Sequence, residues 1–190
     1  DNVNPTAVCQ DITIQLDAGG NASITANDVD GGSTDACGIA STSVTPNAFT
    51  CNEVGNNTVV LTVTDNNGNS SNCNADVEVQ DNVNPTAVCQ DITIQLDAGG
   101  NASITASQIN NGSSDACGVA STSVSPNTFD VNDVGDNNVT LSVTDNNGNS
   151  SDCTATVTVQ DDGAPTALCQ DITVYLNSGG TVGIAAADVD

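Results

Sequence analysis

DNVNPTAVCQDITIQL, residues 81–96, repeats residues 1–16 word for word and returns in altered form from Asp161. Residues 1–80 and 81–160 differ at 20 positions, so 60 of 80 are identical, and residues 161–190 begin the unit again. Self-similarity at a fixed period marks a repeat array. The expected organisation is one repeat over 1–80, a second over 81–160, and the first strands of an incomplete third over 161–190. Each restart places acidic and amide residues before Pro5, Pro85 or Pro165 and a β-branched run after it. That is how a short, stiff junction between two β domains reads.

An 80-residue unit buries only a small core, so disulfides or bound metal are expected as added staples. The chain has 24 acidic residues and no Lys, Arg or His, a formal net charge of −24. No carboxylate can therefore meet a basic side chain. Two carboxylates about 4 Å apart repel by roughly 1 kcal/mol in water and about 4 kcal/mol at an effective dielectric near 20. Clustered Asp residues thus need cations from solution, and Asp, Asn and backbone carbonyls are the hard oxygen ligands that calcium takes. The bland alternative is a diffuse solubilising charge. Nucleic-acid binding through a basic patch is excluded, as is attraction to anionic lipid. Without His or Lys, acid–base chemistry is left to a carboxylate pair alone, and no enzyme activity is expected. Eight cysteines point to an oxidising compartment. A C-x₂-C zinc pattern is missing, and no 18-residue apolar run or signal peptide occurs in this segment; any such element is expected elsewhere in a parent chain.

Along one unit, Thr6 to Leu16 carries Ile12, Ile14 and Leu16 in alternation as a first strand, which Asp17 to Asn21 turns into a second around Ile24. A single helical turn is expected at Asp28 to Asp30. A third strand follows from Ile39 to Val44 and a short fourth around Phe49. Val59 to Thr64 is the strongest strand. Asp65-Asn66-Asn67-Gly68-Asn69 is a hairpin turn, and Cys73 to Val79 alternates as the last strand. Six or seven short strands with turn signals every 8–12 residues predict an all-β fold: tandem immunoglobulin-like antiparallel β-sandwiches.

The opening DNVNPTAVCQDIT, the TDACG of Thr34 to Gly38, the VGNNTVVLTVTDNNGN of Val54 to Asn69 and the closing Cys73 resemble the hyaline repeat (HYR) domain. The chain departs from that pattern at Gln10, where Pro is common, and at Ala75, where Phe is frequent. The resemblance implies an immunoglobulin-like sandwich used in tandem in extracellular adhesive or structural proteins.

In a sandwich of this type the first and last strands run side by side in parallel, so Cys9 is expected to meet Cys73 and Cys89 to meet Cys153. Four cysteines allow three connectivities; the one taken here adds Cys37 with Cys51. Val131 stands where a second Cys51 would be, which leaves Cys117 as a buried spectator or a crosslink to another chain. Cys169 then needs a partner near position 233. The same topology gathers Asp81, Asn82, Asp115, Asp145 and Asn147 at the top of the second unit, a candidate calcium cage. Asp1, Asp35 and Asp65 are the first unit's counterparts, and Asp161 and Asp162 the third's. The rival reading makes the Asp65 stretch a turn and Asp35 a local cap. Together these features predict a secreted or cell-surface stalk, adhesin shaft or filament, rigidified by calcium and disulfides. Its partners would be further repeats or like subunits. The alternatives are an adhesin whose repeats grip a glycan or surface, and accessory domains of a large secreted enzyme.

Overall fold

The computed structural model describes residues 2–164 and 167–189. The first sandwich runs β1 (Ile12–Gln15), β2 (Asn21–Ser23), a one-turn helix (Ala26–Val29), β3 (Ile39–Thr45), β4 (Ala48–Thr50), a 3-10 turn (Cys51–Glu53), β5 (Gly55–Asp65) and β6 (Ser70–Gln80). Its larger sheet has the order β1-β6-β5-β3; β2 and β4 form a separate antiparallel pair. The second sandwich repeats this with β7 (Ile92–Gln95), β8 (Asn101–Ser103), β9 (Val119–Ser125), β10 (Thr128–Asp130), β11 (Gly135–Asp145) and β12 (Ser150–Gln160), its larger sheet ordered β7-β12-β11-β9.

Alternation decides which face is buried. In β5 the side chains of Val59, Leu61 and Val63 point inward, and in β6 those of Ala75, Val77 and Val79. They pack with Leu16, Ile24, Val29 and Phe49 into one core. The counterparts Leu96, Ile104, Ile109 and Phe129 do the same against β11 and β12. Ala75 is buried, so the small residue at that position belongs to the packed interior.

β1 lies parallel to β6, with Ile12 opposite Val77. A parallel neighbour needs a long crossover, and here the whole remainder of the sandwich supplies it. The first strand is shorter than its sequence pattern, because residues before Ile12 pair instead with the loop after the helical turn, through isolated bridges Thr6–Thr34 and Cys9–Asp30.

The expected strands of 161–190 do not form among the described residues there, although the turn at Asn177 to Gly180 and a helical turn at Ala186–Val189 do. The reason is topological: β1 takes its ladder from β6 and β2 takes its ladder from β4, and residues 161–190 contain neither partner. Leu168, Val174, Tyr175, Leu176 and Ile184 are accordingly exposed.

Candidate functional site

The junction between the two sandwiches holds both the covalent and the acidic features. Cys9 is bonded to Cys73 and Cys89 to Cys153, each pair tying the approach to a first strand to the parallel last strand. Cys51 is bonded not to Cys37 but to Cys117, with a Cα separation of 5.2 Å across the two sandwiches. Cys37 is a free, exposed thiol. The within-unit pairing fails because Cys51 opens the 3-10 turn at one end of the first sandwich, whereas the Asp35-Ala36-Cys37-Gly38 loop, tied by Asn66 to the β5–β6 turn, stands with Val3 at the other. The corresponding loop of the second sandwich therefore faces Cys51, and Cys117 is neither a spectator nor a link to another chain. Gly20, at φ +73°, permits the approach: a Cβ there would lie 2.6 Å from the Cys51 sulfur and 3.3 Å from the Ala116 Cβ.

Three buried carboxylates follow from strand phase. Asp65 and Asp145 continue the inward positions of β5 and β11, and Asp81 falls next in phase after Ala75, Val77 and Val79. Asp65 Oδ1 accepts from the backbone N–H groups of Asn67 and Asn69, both at 2.8 Å, and Oδ2 accepts from Asn69 Nδ2 at 2.8 Å. Asp145 repeats the arrangement with Asn147 and Asn149. Burial works to raise both carboxyl pKa values, but hydrogen bonds from the Asn side chain and the turn backbone outweigh it and hold them below the ordinary range. These are self-contained turns, and Asp145 stands outside the acidic cluster described next.

That cluster joins Asp81 and Asp115, with Cys117, their potential ligand atoms all within 4.8 Å of one another. Cys117 is spent in its disulfide and supplies no thiolate. Asp115 Oδ1 accepts from Cys117 N–H at 2.7 Å. Asp81 is 6% exposed; its Oδ1 accepts from Val83 N–H at 3.0 Å, and its Oδ2 is buried with no hydrogen-bond partner. A buried, unsatisfied carboxylate oxygen beside a second carboxylate is the environment that a hard cation relieves.

Other expected ligands are placed elsewhere. Asn82 directs its amide across the junction to Gln15 Oε1 at 2.6 Å, and Asn147 is exposed on its turn. Asp35 Oδ1 accepts from Cys37 N–H. Asp161 and Asp162 are exposed, with Asp161 accepting from Gly163 N–H. Asp1 lies outside the described residues. Asn149, not among the expected ligands, donates to the Asp81 carbonyl at 3.0 Å and so ties the β11–β12 turn to the linker.

The acid response has a defined sign. Asp65, Asp145, Asp28, Asp30 and Glu53 all have lowered pKa values; in the last three the leading cause is a hydrogen bond from Thr25, Ser33 or Thr50 respectively. A carboxyl depressed in the folded state adds stability above its unfolded pKa, about 3.9 for Asp, and that stability is lost as pH falls through the folded value. The melting temperature is therefore expected to hold from neutral pH to about 5 and to fall below about pH 4. The loss should be steeper for the first sandwich, since Gln108 and Asn110 replace Asp28 and Asp30 in the second. Relief of self-repulsion acts oppositely, so a melting temperature that rose throughout acidification would remove these hydrogen-bonded carboxylates from the account.

No family model matches the chain, and no curated protein matches it. Among solved structures it is similar to extracellular cadherin domains 1–4 of protocadherin gamma B7, at a TM-score of 0.39 and 12% identity, over 84% of this chain and 51% of that one. The chain thus spans about half the length of that structure. It is also similar to fibronectin(III)-like modules of Clostridium thermocellum CbhA, at 0.31 and 11% over 83% and 94% of the two chains. Human mucin-like protocadherin EC1-2 gives 0.38 and 14% over 80% and 96%. The strand order places the chain itself in the class of tandem immunoglobulin-like β-sandwiches.

Proposed function

We propose that this chain is part of an extracellular structural protein, an end-to-end array of immunoglobulin-like sandwiches serving as a stalk, adhesin shaft or filament. The observation that carries this reading is the Cys51–Cys117 bond. Two sandwiches with separate cores are welded across their junction, which suits fixed spacing better than independent binding modules. The three disulfides and the resemblance to hyaline repeats support a secreted or cell-surface setting.

Calcium is proposed as the second stiffening element. Asp81 and Asp115 would hold it, with backbone carbonyls or water completing the six to eight oxygens that the ion takes. The ion would supply the positive charge that no side chain of this protein can. Without a cation, two carboxylates at this separation repel by about 3 kcal/mol at an effective dielectric near 20.

The test is a thermal melt and a small-angle scattering curve with calcium and with chelator, on the native chain and on Asp81→Asn. The native chain should melt several degrees higher in calcium and scatter as a narrower set of shapes. Asp81→Asn should melt at or above the native chain in chelator and lose the calcium shift. Equal melting of the native chain in both conditions would remove calcium, while a compact, rigid pair would still support the disulfide-welded array.

A further inference from the structure

We propose that the end of the first sandwich carrying Cys37 is a covalent docking port for another sandwich of this type, one presenting a cysteine at the start of the 3-10 turn that follows its Phe-containing strand. The same cysteine one repeat further on already makes this bond: Cys117 is joined to Cys51 of the preceding sandwich. The two loops are built alike. Cys37 N–H donates to Asp35 Oδ1 at 2.7 Å, as Cys117 N–H does to Asp115 Oδ1. The Cys37 carbonyl accepts from Asn66 Nδ2 at 2.8 Å, and the Cys117 carbonyl from Asn146 Nδ2 at 2.7 Å. Gly38 and Gly118 follow at φ 93° and 95°.

The two ends differ in cover. Cys117 and Val83 are half-buried at the junction, whereas Cys37 is exposed and Val3 is 66% exposed. The face that receives a sandwich in one repeat is thus presented to solvent in the other. The donor must be of the Cys51 type, because the matching end of the second sandwich carries Val131, 58% exposed, and has no thiol to give. Residue 51 of the unit would in this way write which junctions are sealed and which stay open.

Bond formation takes one proton and one electron from each thiol and passes them to an oxidant, a small-molecule disulfide that leaves as two thiols. The inference rests on the end-to-end reading, and the Cys51–Cys117 bond serves as internal reference. A chain with an added copy of residues 1–80, itself carrying Cys37→Ser, joined ahead of Asp1 is oxidised with glutathione disulfide, labelled with a thiol reagent in the native state, and mapped without reduction. Cys37, reactive in the starting chain, should lose its labelling and be recovered joined to the added copy's Cys51. Cys51→Val in the added copy should restore the label. Recovery of Cys51–Cys117 with Cys37 still reactive, or with Cys37 joined to Cys169 or to Cys37 of a second molecule, would overturn the port and leave the end-to-end reading standing. Loss of the reference bond itself would overturn both.

Discussion

A chain carrying Cys51→Val and Cys117→Ala is expected to keep both sandwiches folded and lose their fixed mutual orientation. Each sandwich retains its own core and its own parallel-strand disulfide, although Cys51 and Cys117 both pack against the margin of the first core. At the junction the noncovalent ties that remain include the Asn82–Gln15 side-chain bond, the Asn149 bond to the Asp81 carbonyl and the close approach of Ala116 to Gly20. Closing a loop of 66 residues restrains the unfolded chain by about 4 kcal/mol. That restraint is shared by the two sandwiches, so their unfolding should become less coupled as well as easier. Valine is the natural replacement, because it already occupies this position as Val131. Scattering should show a broader distance distribution, and melting should separate into two transitions. An unchanged scattering curve would mean that noncovalent contacts alone hold the junction.

The companion expectation is a loss of similar size confined to one sandwich. Cys9→Ala with Cys73→Ala should destabilise the first sandwich by about 4 kcal/mol, since this bond closes a loop of 64 residues. For a domain of this size that corresponds to a melting point roughly 15–30 °C lower. The bond stands beside the parallel β1–β6 ladder, a four-residue pairing whose partners are far apart in sequence. Hydrogen exchange should report the loss in β5 and β6 while β11 and β12 keep their protection. Equal deprotection of both sandwiches would show that they unfold as one unit; a loss below about 1 kcal/mol would show that the core alone suffices.

The period, the alternation of β5 and β6 and the hairpin turns are legible because each is local: apolar residues two apart, or an Asp-Asn-Asn-Gly run, act on the backbone in place. The burial of Asp65 and Asp81 is legible in the same alternation, since both occupy the inward phase of an apolar series. It is hidden only by the habit of reading Asp as solvent-facing. Cys51 shows what a unit-by-unit reading misses. Pairing it with Cys37 orphans Cys117 inside the array, whereas pairing across the junction leaves Cys37 at an end; Val131 was the signal. The strands of 161–190 are legible as an incomplete set whose apolar face is left uncovered, because their ladders belong to segments that come later in a unit.

The placement of Cys9–Cys73 also sets how the protein carries tension. A pull along the backbone enters near the N-terminus, reaches Cys9, crosses to Cys73 and leaves through β6 at Gln80. Within the unit most of residues 10–72, which hold most of the core, lie off that path, and at the junction the Cys51–Cys117 bond shares the load with the linker. β6 is already extended backbone and has almost no length to give. Slack is confined to the residues ahead of Cys9, so even full straightening of the roughly 17 residues under load reaches only about 60 Å. Reduction would place residues 10–72 in series and add roughly 200 Å. Oxidised, the unit behaves as a nearly inextensible link, and the force that would strip a sandwich from its core is borne by covalent bonds.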